Sequence, residues 1–97
     1  MLDKKFTNEM KKIVFRYLDS RKDKVFIFGS RALGDNRKFS DVDLGIISKR
    51  KIPYMLISDL EEALEESDIP YKVEIVDFST VSKRFKNLAL KKIVSLN

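Results

Sequence analysis

Four consecutive apolar residues, Val25-Phe26-Ile27-Phe28, run without a polar break into Gly29. A run that short and that apolar suits a buried strand, and the rest of the chain has to supply its cover. Ahead of it, Phe6, Met10, Ile13, Val14, Tyr17 and Leu18 recur at spacings of three and four, which define one face of a helix. Arg21-Lys22-Asp23-Lys24 reads as the polar turn between them. The stretch 31–39 is polar and holds Gly34, Asp35 and Asn36, so part of it is expected to be loop. Asp41 to Ile47 reads as a second strand. Pro53 then stands where a helix would begin, with Met55, Leu56, Leu60 and Leu64 as its apolar stripe and Glu61, Glu62, Glu65 and Glu66 as its wet side. Asp68-Ile69-Pro70 breaks that helix. Tyr71 to Phe78, rich in β-branched residues, reads as a third strand. Ser79 is placed to cap a last helix carrying Val81, Phe85, Leu88 and Ala89. The tail Ile93-Val94-Ser95-Leu96 is compatible with more helix or with a short strand. The order of elements predicts an α/β (α+β) class, a small mixed β-sheet packed with helices. Three strands are about the minimum for a stable sheet.

Composition narrows the chemistry. The chain has 97 residues, expected to form a single domain over 1–97. It holds no cysteine and no histidine, which excludes disulfides, thiolate-bound zinc, imidazole bases and any Ser-His or Cys-His triad. Whatever reaction occurs must use carboxylates, hydroxyls, backbone groups, Lys or Arg. No run of about 18 apolar residues is present, so no membrane span is expected. The N-terminal residues have no apolar signal core, and a cytoplasmic location is the default expectation. The net charge is +5, unevenly placed. From Ser79 to Asn97 there are five basic residues (Lys83, Arg84, Lys86, Lys91 and Lys92) and no acid, and Lys49-Arg50-Lys51 forms a second cluster. Such clusters are compatible with a solvated face or with attraction to phosphate, nucleic acid or an acidic protein.

The informative segment joins the first two strands. Asp41 and Asp43 are two apart, so both side chains face one way on a strand. Their neighbours Val42, Leu44, Ile46 and Ile47 are apolar. Paired like charges on a strand of that kind repel each other and lose solvation. A divalent cation relieves both effects, and hard carboxylate oxygens are what Mg²⁺ prefers. A lone Asp-x-Asp is equally compatible with a turn cap followed by an edge residue. Gly29-Ser30 follows the first strand directly, at a junction where free N–H groups and a helix dipole bind phosphate; alone, it is also an ordinary capped turn. Together the two features are more specific, because the turn precedes the acids by 12 residues. Neighbouring strands would bring both to one end of the sheet. Glu74, flanked by Val73 and Ile75, faces opposite to Val73, Ile75 and Asp77 by strand alternation. It completes a three-carboxylate site if it looks towards the Asp pair, and is otherwise an exposed strand residue. Asp77 is left for a turn or cap.

Gly29-Ser30-Arg31-Ala32-Leu33-Gly34, followed by Ser40-Asp41-Val42-Asp43-Leu44 and later by Glu74, resembles the signature of the DNA polymerase β-like nucleotidyltransferase superfamily. The short chain is most similar to its minimal nucleotidyltransferases, and the resemblance covers residues 25 to 78. It implies the nucleotidyltransferase fold and Mg²⁺-dependent transfer of a nucleoside monophosphate, AMP from ATP, onto a hydroxyl. By position it implies that Gly29, Ser30 and Arg31 hold the triphosphate. Asp41, Asp43 and Glu74 would bind two Mg²⁺ ions and serve as the catalytic acids. The family usually has Asp where this chain has Glu74, which reaches one methylene further. Arg31, Arg37 and Lys38 are candidates for neutralising developing charge. The resemblance also implies a partner, a HEPN-type toxin whose tyrosine accepts AMP, so that the chain acts as antitoxin. A partner is expected to supply the acceptor surface, since 97 residues leave no second domain to do so. Two rival functions stay open: a non-catalytic binding module that covers its partner, and an enzyme acting on a small molecule or an RNA end. Nucleic acid is not favoured, because no aromatic-and-basic stacking motif is present.

Overall fold

The computed structural model describes residues 4–29 and 41–97. Along them run α1 (Lys4–Tyr17), β1 (Asp23–Phe28), β2 (Val42–Ser48), α2 (Tyr54–Glu65), β3 (Val73–Asp77), α3 (Lys83–Ala89) and β4 (Val94–Ser95). The polar stretch 31–39 lies outside the described residues, and so does Ser30.

The strands form one mixed sheet in the order β3-β2-β1-β4. β1 pairs antiparallel with β2 and β4, and β2 pairs parallel with β3 through the α2 crossover. Strand alternation divides the sheet into two faces. Val25, Ile27, Val42, Leu44, Ile46 and Val73 turn to the first face and pack with Met10, Ile13 and Val14 of α1 and Leu60 and Leu64 of α2. The α2 stripe is narrower than its sequence implies. Leu56, Leu60 and Leu64 recur every four residues and turn inward, while Met55 is 68% exposed. One residue back along a helix is a rotation of about 100°, which carries Met55 out of the stripe.

Phe26, Phe28 and Phe78 form the core of the second face, with Val76, Val81, Ala89, Leu90 and Ile93 packed against them. Gly45 stands opposite Phe26 in the β1–β2 ladder. A Cβ there would lie 2.5 Å from the Phe26 ring and 2.7 Å from Phe78, so only glycine admits both rings. The rings then meet edge-on, Phe26 to Phe78 at 5.1 Å and Phe28 to Phe78 at 5.2 Å between centroids.

Two local expectations are corrected. Ser82, not Ser79, caps the last helix, accepting a hydrogen bond from the Phe85 N–H at 3.1 Å. The Ser79 N–H is already taken by the Asp77 carboxylate at 2.9 Å, and Thr80 N–H donates to the Asp77 carbonyl, so a turn closes before the helix starts. Asp77 is thus the turn residue its position suggested. Asp23 opens β1 instead of sitting in the preceding turn, because its carboxylate is engaged from three sides. It accepts from the Asp19 N–H (2.9 Å), the Ser48 hydroxyl (2.6 Å), and Arg50 Nε (3.1 Å) and Nη2 (2.7 Å). The tail resolves as strand: β4 pairs with Phe26 and Ile27, and Asn97 Nδ2 donates to the carbonyls of Ser20 and Asp23 at 2.8 Å each.

Candidate active site

The β1–β2 ladder has two ends. Asp23 pairs with Ser48 at one, and Phe28 pairs with Asp43 at the other. Gly29 follows Phe28 with φ +75°, a left-handed conformation that glycine adopts freely. That turn brings its backbone against β2: a Cβ on Gly29 would lie 2.6 Å from Asp43 Oδ2. The glycine turn and the Asp43 carboxylate therefore meet at one end of the sheet, as their spacing implies.

The parallel β2–β3 ladder sets Asp43 directly beside Glu74. Both belong to the second face, along with Phe28, Val76 and Phe78. Asp41 stands one residue ahead of β2 and is exposed, where the Val42 N–H is tied to the Lys72 carbonyl at 2.8 Å. Asp43 is half-buried, and among the described residues nothing donates a hydrogen bond or an ion pair to it. Its carboxyl is pushed above the ordinary value, first by burial, then by the charges of Glu74 and Asp41. Among the described residues, the cation near Glu74 is Lys72, with Nζ at 3.7 Å from Oε1. With both side chains largely exposed, that contact is weak and easily displaced. Among the described residues, no group of three or more acids is gathered closely enough to hold a metal ion. Asp43 and Glu74 are brought together, and Asp41 acts on Asp43 from the strand's threshold. Ser30 and Arg31, the other expected phosphate ligands, lie outside the described residues, as do Arg37 and Lys38.

Beside this acid pair lies a cavity of about 570 Å³. Phe28, Val76, Phe85, Leu88 and Ala89 wall it, Gly29 and Asp43 line it, and Lys91 and Lys92 join them from the turn after α3. Sequence periodicity marks Phe85 and Leu88 only as a helix stripe. Their exposure, 41% and 56%, shows that the stripe is half uncovered. Nothing in the spacing signals that Lys91 and Lys92 reach the same hollow as Asp43.

The family model described as polymerase beta, nucleotidyltransferase matches residues 6–96. The chain belongs to this nucleotidyltransferase family. A curated relative, the probable protein adenylyltransferase MntA of Haemophilus influenzae, is 40% identical over 67 residues. That match covers 69% of this chain and 59% of the relative, so the chain matches about three-fifths of the relative's length. Among solved structures, a chain of a toxin–antitoxin with AMP-PNP superposes with a TM-score of 0.77 at 19% identity, covering 94% of this chain and 72% of the other. A chain from a tri-AMPylated Shewanella oneidensis HEPN toxin in complex with MNT antitoxin gives a TM-score of 0.74 at 16% identity, covering 99% and 72%. These likenesses establish the nucleotidyltransferase fold, with the mixed sheet expected from the sequence. No helix among the described residues is long and apolar enough to cross a membrane.

Proposed function

We propose that the chain is a nucleotidyltransferase that moves AMP from ATP onto a tyrosine hydroxyl of a HEPN-type toxin in the cytoplasm, and so acts as antitoxin. The observation that carries the reading is the Asp43–Glu74 pair, set side by side in the β2–β3 ladder against the Gly29 turn. The name of the Haemophilus influenzae relative and the toxin–antitoxin complexes that share the fold support the acceptor and the donor.

The acids suit Mg²⁺. They are hard oxygen donors, and Asp43 in particular is a half-buried carboxylate crowded by like charge. Asp41, Asp43 and Glu74 would hold two ions, which supply positive charge at the reacting oxygens. The Gly29 turn would present its backbone N–H to the phosphate chain, and the resemblance adds Ser30 and Arg31, outside the described residues, as further phosphate ligands. Gly29 has no Cβ, and one there would lie 2.6 Å from Asp43 Oδ2, so its backbone leaves room for phosphate beside the acids. The acceptor oxygen forms its bond to the α-phosphorus while the bond to the bridging oxygen breaks and pyrophosphate leaves. Glu74, the more exposed acid of the pair, takes the hydroxyl proton on a carboxylate oxygen.

The test mixes the purified chain with Mg²⁺, ATP labelled at the α-phosphate and the product of its neighbouring gene. Label is expected on that partner's tyrosine, and none with Asp41→Asn/Asp43→Asn. A stable, silenced but unlabelled complex would replace this reading with the binding module.

A further inference from the structure

The cavity beside the acids combines features that rarely serve one another in a structural hollow. Its lining joins aromatic and aliphatic side chains to a carboxylate, a glycine turn and two lysines. An apolar body bearing several negative charges fits that combination: the body against Phe28, Phe85 and Leu88, the charge between the lysines and the metal-seeking acids. A neutral phenol fills only the apolar part and leaves Lys91 and Lys92 without a role. The volume lies within the range of small-ligand pockets, about 300–1,000 Å³.

The wall is also preformed. Phe85 is held edge-on to Phe28 at 6.1 Å and tilted against Phe78 at 5.9 Å between centroids, while 41% of its surface stays open. A ring held by two others and still partly open to a cavity that it lines can serve as a stacking platform. Leu88, one helical turn further, is more than half exposed although it is a large apolar residue. Among the described lining residues, no amide or hydroxyl side chain is available to read the edge of a base, and the lysine ammonium groups are mobile donors on long stems.

We propose that the hollow between the acid pair and α3 is a base-stacking subsite, with Phe85 and Leu88 as its wall and Lys91 and Lys92 at its phosphate rim, and that it accepts either purine. This rests on the nucleotidyltransferase reading of the same site and adds the residues that seat the base and the breadth of the donor. Stacking recognises a π-face, which adenine and guanine both present, so selection between ATP and GTP is weak here.

The test is calorimetric binding of Mg·ATP, Mg·GTP and Mg·tripolyphosphate to the purified chain and to Leu88→Trp and Phe85→Ala. Leu88 is exposed enough that an indole can occupy the hollow without disturbing the core. Melting curves on each variant confirm that it is folded. ATP and GTP are expected to bind the wild type within about tenfold of each other. Both should weaken by about 5- to 150-fold in Phe85→Ala, the range that loss of one stacking partner produces, and should weaken in Leu88→Trp because its indole fills the hollow, while tripolyphosphate affinity stays unchanged. Wild-type affinity for ATP in folded variants would place the base elsewhere and overturn the proposal. If those same variants lost transfer, the hollow would belong to the acceptor side chain instead. A preference for ATP over GTP of a hundredfold or more would overturn the purine tolerance. If the wild type binds neither nucleotide nor tripolyphosphate, the nucleotide reading of the whole site falls with it.

Discussion

Asp23 and Asp43 occupy opposite ends of the same antiparallel ladder, and their surroundings differ in almost every respect. Asp23 is 1% exposed and has four hydrogen bonds, two of them from the Arg50 guanidinium. The Arg50 bonds hold its carboxyl down to about 2 against the cost of burial, and the same contact raises Arg50. Asp43 is half-buried beside two more acids, without a hydrogen bond or ion pair among the described residues, and its carboxyl is pushed up. One end spends its charge on holding the fold together; at the other, no described residue compensates the charge. A chain gains nothing in stability from the second arrangement. It is accounted for if a ligand supplies the missing positive charge.

That contrast can be broken most sharply at the Gly29 end. Asp43→Asn keeps shape and removes charge, and is expected to lower transfer to the partner by about 10²–10³-fold or more, as measured by label incorporation. Unchanged transfer would remove Asp43 from the site. At the other end, Asp23→Ala leaves Arg50, Ser48 and the Asp19 N–H without their acceptor. A loss of about 2–3 kcal/mol in urea unfolding is expected, with transfer retained by the protein that remains folded. The pH dependence has a definite sign. Because the folded value of Asp23 is depressed, its contribution is present above the ordinary carboxylate value of 3.8 and is lost as pH falls through about 2. Acid unfolding of the Asp23→Ala protein should therefore lack that component.

Between the two ends in size is the junction itself. Gly29→Ala meets both a left-handed φ and a contact of 2.6 Å with Asp43 Oδ2. A cost of about 1–2 kcal/mol is expected from the backbone conformation, together with reduced transfer as the carboxylate is displaced. The smallest effect is also the most diagnostic. Asp43 has a raised folded value, so its ionisation opposes folding, and stability is lost as pH rises from 3.8 through that raised value. Asp43→Asn should melt slightly higher than wild type at neutral pH without Mg²⁺. The gap should close as acidification protonates the wild-type carboxyl. A lower melting temperature for Asp43→Asn would show that Asp43 has a structural partner.

The meeting of Gly29 and Asp43 at one end of the sheet was legible because its signals are local: Gly29 stops an apolar run and Asp43 sits among apolar strand neighbours. Alternation puts Glu74 opposite to Val73 and Ile75, but that it stands beside Asp43 came only with the β2–β3 register. The fold class followed from the same periodicities. What escaped was set by contacts distant in sequence. Asp23 looks like a turn residue until Arg50, 27 positions away, closes on it. β4 spans two residues, too few to carry a period, and owes its form to β1. Ser82 rather than Ser79 caps the helix because Asp77 first closes a turn through the Ser79 and Thr80 N–H groups, so α3 starts three residues later. The cavity is walled where α3 meets the phenylalanine cluster beside Gly29 and Asp43, a matter of packing that no single stripe reveals.

The most direct test of the account is a Mg²⁺ titration followed by thermal melting, on wild type and Asp43→Asn side by side. If the uncompensated acids at the Gly29 end are a cation site, Mg²⁺ will raise the melting temperature of the wild type and leave Asp43→Asn unmoved. An equal rise in both proteins, or none in either, would contradict it.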